Sequence, residues 1–198
     1  MRERGLDVDH STVFRWVQRY APEINKRIRQ HLKMSGPSFR VDEYIKVGKQ
    51  CKYLYRAVDK EGQTIEFMLS AKRDVSAAKR FFKKLMRADH RRLPFSISVD
   101  KSAAYPEAFN SSQDEKILPS DCRLRRVKYL NNVIEQDHRF VKKKVRASQC
   151  FKSFHTAERT LEGIEAMNMM RKGQVKRLAG NDARGQAKFV GLLFGVAA

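Results

Sequence analysis

Cysteine is scarce: Cys51, Cys122 and Cys150 are odd in number and far apart. With no Cys-x-x-Cys pair, a zinc ribbon or a dithiol redox motif is excluded, and three unpaired thiols without chemistry in a reduced cytoplasmic setting are expected. There is no apolar run of about 18 residues, so no spanning helix is expected. The opening Met-Arg-Glu-Arg-Gly-Leu-Asp lacks the apolar stretch of a secretory signal. No internal repeat is evident. Acidic residues are also in short supply, 22 against 42 Lys+Arg in 198 residues.

That imbalance, a formal charge of +20, attracts polyanions. Nucleic acid is the leading partner, with an anionic membrane surface as the weaker alternative. The chain is 41% hydrophobic and carries 12 Phe, 6 Tyr and 1 Trp. These need burial, so disorder throughout is excluded. The length suits one ordinary domain with a small appendage.

The residue pattern predicts α/β order. Residues 9–20 read as a helix capped by Asp9 or Ser11, with Val13, Trp16, Val17 and Tyr20 as its apolar face. Pro22 suits the first turn of a second helix carrying Ile24, Ile28 and Leu32. Strands are predicted at 39–47, 52–59, 64–70, 93–99 and 125–129, the first three forming an antiparallel meander. Helices are predicted at 76–88, 102–109, from Asn131 or Asn132 to about Arg146, and at 153–172. The tail from Gly173 is Gly-rich and then apolar.

Three acids stand out. Asp42 lies in the first strand, Asp100 ends the fourth, and Glu135 lies on a predicted helix, with 135 − 100 − 1 = 34 residues between the last two. If the first and fourth strands are neighbours, two carboxylates meet at one sheet edge and Glu135 can reach them. Hard oxygen donors suit magnesium, and two such ions about 3.5–4 Å apart clamp an in-line phosphoryl displacement. Spacing alone leaves open that these are ordinary caps and surface acids, since 22 acids offer many triples. Around Glu135 the sequence is strongly basic. A helix with Glu135 inward and Arg139, Lys142 and Arg146 along one flank, with Lys143 beside them, could hold a phosphate backbone. The alternative there is a solubilising charge run. In the first helix, Thr12, Arg15, Gln18 and Arg19 suit groove and phosphate contacts, or the helix packs or dimerises.

The runs Arg40-Val41-Asp42-Glu43, Val99-Asp100-Lys101, Ala103-Ala104-Tyr105-Pro106 and Val127-Lys128-Tyr129-Leu130-Asn131-Asn132-Val133-Ile134-Glu135-Gln136-Asp137-His138-Arg139-Phe140 resemble bacterial insertion-sequence transposases with a DDE catalytic domain, closest to insertion-sequence family six. The resemblance extends from Arg4 to about Gln174. It implies a ribonuclease-H-like mixed sheet flanked by helices, preceded by a partial helix-turn-helix. The implied domains are 1–34 for the partial helix-turn-helix, 35–38 for a linker, 39–172 for the catalytic domain and 173–198 for a tail. It further implies that Asp42, Asp100 and Glu135 are catalytic and hold two Mg2+ ions, with Mn2+ as a substitute. Lys142, seven residues after Glu135, would contact DNA near the active site. The implied partners are double-stranded DNA, as element ends and target, and a second copy or more of the chain on that DNA, with no membrane. The implied setting is the bacterial cytoplasm at the nucleoid. The activity implied is phosphodiester hydrolysis followed by strand transfer.

Two departures stand beside the resemblance. Family members carry further helices before the position matching Met1. A Thr that the family commonly has between the counterparts of Glu43 and Tyr44 is absent. Losing one strand residue turns every later side chain to the other face, so the strand must re-register or absorb the loss at a bulge or turn. The alternative function is a truncated, catalytically inactive copy that only binds DNA or a full-length partner.

Overall fold

The computed structural model describes residues 5, 7–47, 50–100, 102–127, 134, 139–141, 143–144 and 153–196, with the side chains of 43–51 excepted. The chain divides into two units, Met1–His31 with Lys152–Ala198, and Leu32–Phe151.

Alternating apolar residues build the second unit. Its strands are β1 (Ser38–Val47), β2 (Gln50–Val58), β3 (Thr64–Ser70), β4 (Ser96–Val99) and β5 (Arg123–Arg126). They form one mixed sheet in the order β3-β2-β1-β4-β5. β1 pairs antiparallel with β2 and β2 with β3, whereas β1–β4 and β4–β5 are parallel. Phe39, Val41, Tyr55, Ala57, Ile97 and Val99 are all buried within one core cluster. The helices α2 (Val75–Leu85) and α3 (Ala104–Asp114) supply Phe81, Phe82, Leu85, Tyr105 and Phe109 to the same cluster. Phe82 stands edge-on to Phe109 at 6.3 Å and tilted against Tyr105 at 6.2 Å. Asp74 caps α2 by accepting from the Ala77 N–H at 2.8 Å.

Two boundaries differ from the pattern-based expectation. β4 begins at Ser96 and not at Leu93. Pro94 has no N–H to give a ladder, and Leu93 and Phe95 are exposed. α3 runs on past Phe109 to Asp114, burying Ser112, whose hydroxyl donates to the Ala108 carbonyl at 2.6 Å.

In the first unit, one helix, α1 (His10–Ile28), replaces the two expected around Pro22. Asp9 is its N-cap. A proline inside a helix removes the N–H that would bond the carbonyl four residues back, here that of Gln18. The Arg159 guanidinium donates to that Gln18 carbonyl instead, at 3.3 Å, so the helix continues without a turn. Arg159 lies on α4 (Phe154–Arg171), which packs along α1. The Gln18 side-chain amide adds a bond to the Thr160 hydroxyl at 2.8 Å.

The buried stripe of α1 is Ala21, Asn25 and Ile28. Of the expected apolar face, Val13 and Val17 are half-buried in line with this stripe, whereas Trp16 is 43% and Tyr20 41% exposed. The reason is steric. α4 approaches at Gly163, where an added Cβ would stand 2.7 Å from the Ala21 Cβ, so the helices meet along small residues. The tail forms a further helix, α5 (Ala183–Leu193), capped by Asp182. Phe194 stands edge-on to Tyr20, and Phe189 to His31.

Replacing Gly163 with Val should overpack this crossing and lower unfolding stability by about 1–3 kcal/mol, read as an earlier urea midpoint. An unchanged midpoint would contradict the close approach.

Candidate functional site

The parallel β1–β4 ladder pairs Ser38 with Ser96, Phe39 with Ile97 and Arg40 with Ser98, a constant offset of 58. Carried two residues further, 42 + 58 = 100, so Asp42 stands level with Asp100, the first residue beyond β4. Neighbouring strands are about 4.8 Å apart, so this register sets two acids side by side at one place on the sheet. Both are half-buried.

The β1–β2 ladder is irregular just past Asp42, where the resemblance implies an absent Thr. Glu43 pairs with Tyr55 but Ile45 pairs with Lys52, so Tyr44 alone opposes Tyr53 and Leu54. This is a β-bulge whose extra residue lies on β2, as expected if β1 is one residue short. The bulge lies beyond Asp42, which keeps the register of Arg40 and Val41 with β2.

Asp100 is held at both oxygens. The Ser102 N–H donates to Oδ1 at 2.9 Å, and the Arg73 Nη2 donates to Oδ2 at 2.9 Å. Asp42 faces Arg56 directly across the β1–β2 ladder, which puts both side chains on one sheet face, and Arg56 is fully buried. Glu135, Lys142 and Arg146 lie outside the described residues. Ile134, Arg139–Val141, Lys143 and Lys144 are helical, as predicted for that segment, with Ile134 and Val141 buried and Arg139 and Lys143 exposed.

The groove-contact candidates belong to the first unit. Arg15, Gln18 and Arg19 line a groove of about 590 Å³ together with Phe14, His155 and Arg159. Arg15 donates to the Thr12 hydroxyl at 3.1 Å, and the Arg19 guanidinium lies 5.5 Å from the Tyr20 ring centre. The Gln18 amide is bonded to α4.

Arg73 escaped the sequence reading. It is one of 42 basic residues and lies 27 positions before Asp100, with no periodicity to link them. A topological signal existed: β3 runs parallel to β1 and β4, so the β3–α2 loop opens at the same sheet edge as Asp100.

Among the described residues, no group of three or more His, Cys, Asp and Glu gathers as a metal site. The two described acids nonetheless fit a hard divalent cation. They are oxygen donors on adjacent strands, and one of them already attracts a guanidinium. No helix among the described residues is long and apolar enough to cross a membrane.

Comparison with known proteins decides the family. The DDE domain family of the IS240 transposase type matches residues 36–174. The transposase of insertion sequence-like element IS431mec from Staphylococcus aureus strain Mu50 is 39% identical over 173 residues, covering 87% of this chain and 75% of its own. This chain belongs to the IS6-family DDE transposases. Two solved structures share the fold. The catalytic core of BIV integrase aligns with a TM-score of 0.51 at 14% identity, covering 79% of this chain and 98% of its own. The HTLV-2 integrase catalytic core in complex with magnesium (trimeric form) aligns with a TM-score of 0.50 at 12% identity, covering 66% and 84%. The transposase sheet is therefore ribonuclease-H-like.

Cys122, buried beneath that sheet, has its thiol pushed up to about 11 by burial and, secondarily, by the Asp121 charge. It stays protonated through neutral pH, so a Cys51→Ser/Cys150→Ser transposase should give no reaction with Ellman's reagent at pH 8 until unfolded. Rapid reaction of the native protein would contradict the burial.

Proposed function

We propose that this transposase hydrolyses a phosphodiester at the ends of an insertion sequence and joins the freed 3′-hydroxyl to target DNA, with Asp42, Asp100 and Glu135 holding two Mg2+ ions or Mn2+ in their place. The observation that supports the proposal is the β1–β4 register, whose pairs end at Arg40 and Ser98 and which, carried two residues further, would bring Asp42 level with Asp100. The match of residues 36–174 to the DDE domain family supports it, as does the magnesium in the HTLV-2 integrase core of the same fold.

When bound, the ions supply Lewis-acid activation of the phosphoryl oxygens and neutralise developing charge. The protein's part is placement. Asp42 is carried by β1 and Asp100 directly follows β4, so both carboxylates start from strand backbone that limits how far the donors can wander. The Ser102 N–H turns the Asp100 carboxylate by engaging Oδ1. The Thr-less β1 keeps Asp42 in place because the bulge follows it. Arg139, Lys143 and Lys142 hold the strand by its phosphates and carry no sequence information. Arg15, Arg19 and Thr12 of α1 add contacts to double-stranded DNA. Gln18 orients α1 through its bonds to α4. Two element ends must meet, so the working form is a dimer or larger on DNA; the HTLV-2 integrase core was solved in dimeric and trimeric forms. The setting is the bacterial cytoplasm at the nucleoid.

Asp100→Asn should reduce magnesium-dependent strand transfer on element-end DNA by about 10³-fold or more, the rate equivalent of several kcal/mol of charge stabilisation. DNA binding should survive. Strand transfer at the unsubstituted level would overturn the proposal.

A further inference from the structure

Two carboxylates at one level of adjacent strands repel each other unless a cation lies nearby. In this chain a cation is supplied from within. Ser102 takes one oxygen of Asp100 and Arg73 takes the other, at 2.9 Å each. The Arg73 side chain is 40% exposed and that of Asp100 33%, so the pair is weak, exchangeable and open to solvent.

The loop that delivers Arg73 is pinned on both sides. Before it, the Lys72 N–H donates to the Ser70 hydroxyl at 3.3 Å, and Arg80 of α2 donates to the same hydroxyl at 3.2 Å. After it, Asp74 caps α2. The guanidinium thus reaches Asp100 from a backbone held at both ends, and its departure would ask no movement of that backbone.

We propose that Arg73 is the resident counter-ion of Asp100, occupying the carboxylate until a divalent ion displaces it. The inference rests on Asp100 being a metal ligand. A lone divalent ion outcompetes the guanidinium because it carries twice the charge and binds the same oxygen directly. Arg73 is therefore a positioning residue: it keeps the metal-free acids apart from mutual repulsion and is lost from Asp100 on loading. Its pairing also weakens metal binding by the free energy needed to break it.

The test uses the full chain without DNA, titrated with magnesium chloride in a calorimeter, with melting temperatures taken in EDTA and in magnesium. Arg73→Gln should bind magnesium about two- to fivefold more tightly than the unsubstituted chain, the range an exposed pair of this kind allows. It should melt lower in EDTA and gain more from magnesium, by mass action on the folded state. Arg73→Lys, which keeps the charge, should stay within about twofold of the unsubstituted affinity. Lys72→Gln removes a charge from the same loop without touching Asp100 and should leave the affinity unchanged.

Equal or weaker magnesium affinity in Arg73→Gln overturns the proposal, as does an equal gain in Lys72→Gln, which would reduce the effect to net charge. Asp100→Asn separates the two layers. If it abolishes magnesium binding while Arg73→Gln has no effect, only the counter-ion role falls. If it leaves magnesium binding intact, the metal assignment falls, and the counter-ion role with it.

Discussion

Everything at the candidate site depends on one pairing, the parallel ladder between β1 and β4. These strands are distant in sequence and have no hairpin to set their register. The register is set by burial. Phe39 and Val41 on one strand and Ile97 and Val99 on the other are fully buried in one cluster with Phe81 and Phe82 of α2. A slip of one residue would turn these side chains out of that cluster and bring polar neighbours in. The same constraint that protects the core therefore sets Asp42 level with Asp100. The irregularity in β1 is tolerated for a related reason: Phe39 and Val41, the described core residues of β1, and Asp42 all precede the bulge after Glu43.

Electrostatics completes that arrangement. A chain of formal charge +20 gains steering toward polyanions, and in the proposed site it would also hold a small acidic centre. Arg73 lies on Asp100, and Arg56 is the strand partner of Asp42 on the neighbouring β2. The basic surplus thus acts at two scales, as a field around the molecule and as local neutralisation at the site.

Much of the fold was legible because it is local. The alternation in 39–47, 52–59 and 64–70 located the three meander strands to within a residue or two, and the repeat of Ala77, Phe81 and Leu85 located α2. The candidate acids were singled out through the string around Glu135, not through spacing. What escaped depends on partners remote in sequence. The Gln18 carbonyl that Pro22 leaves without its helical donor is filled by Arg159, which lies on another helix far along the chain. The exposure of Trp16 and Tyr20 goes with the close approach of Gly163 of α4 to Ala21, which no periodicity within 10–28 reveals. That β1 would need a bulge or turn past Glu43 was an expectation of the resemblance; that the bulge lies on β2, at Tyr53 and Leu54 opposite Tyr44, was not readable.

The central claim is that the β1–β4 register builds a divalent-metal site. A crystal of the full chain grown with manganese, with data collected at the manganese absorption edge, tests it most directly. The account predicts an anomalous peak within about 2.0–2.3 Å of carboxylate oxygens of both Asp42 and Asp100, with Glu135 in the same coordination group. A peak elsewhere, or carboxylates of Asp42 and Asp100 too far apart to share an ion pair, would contradict it.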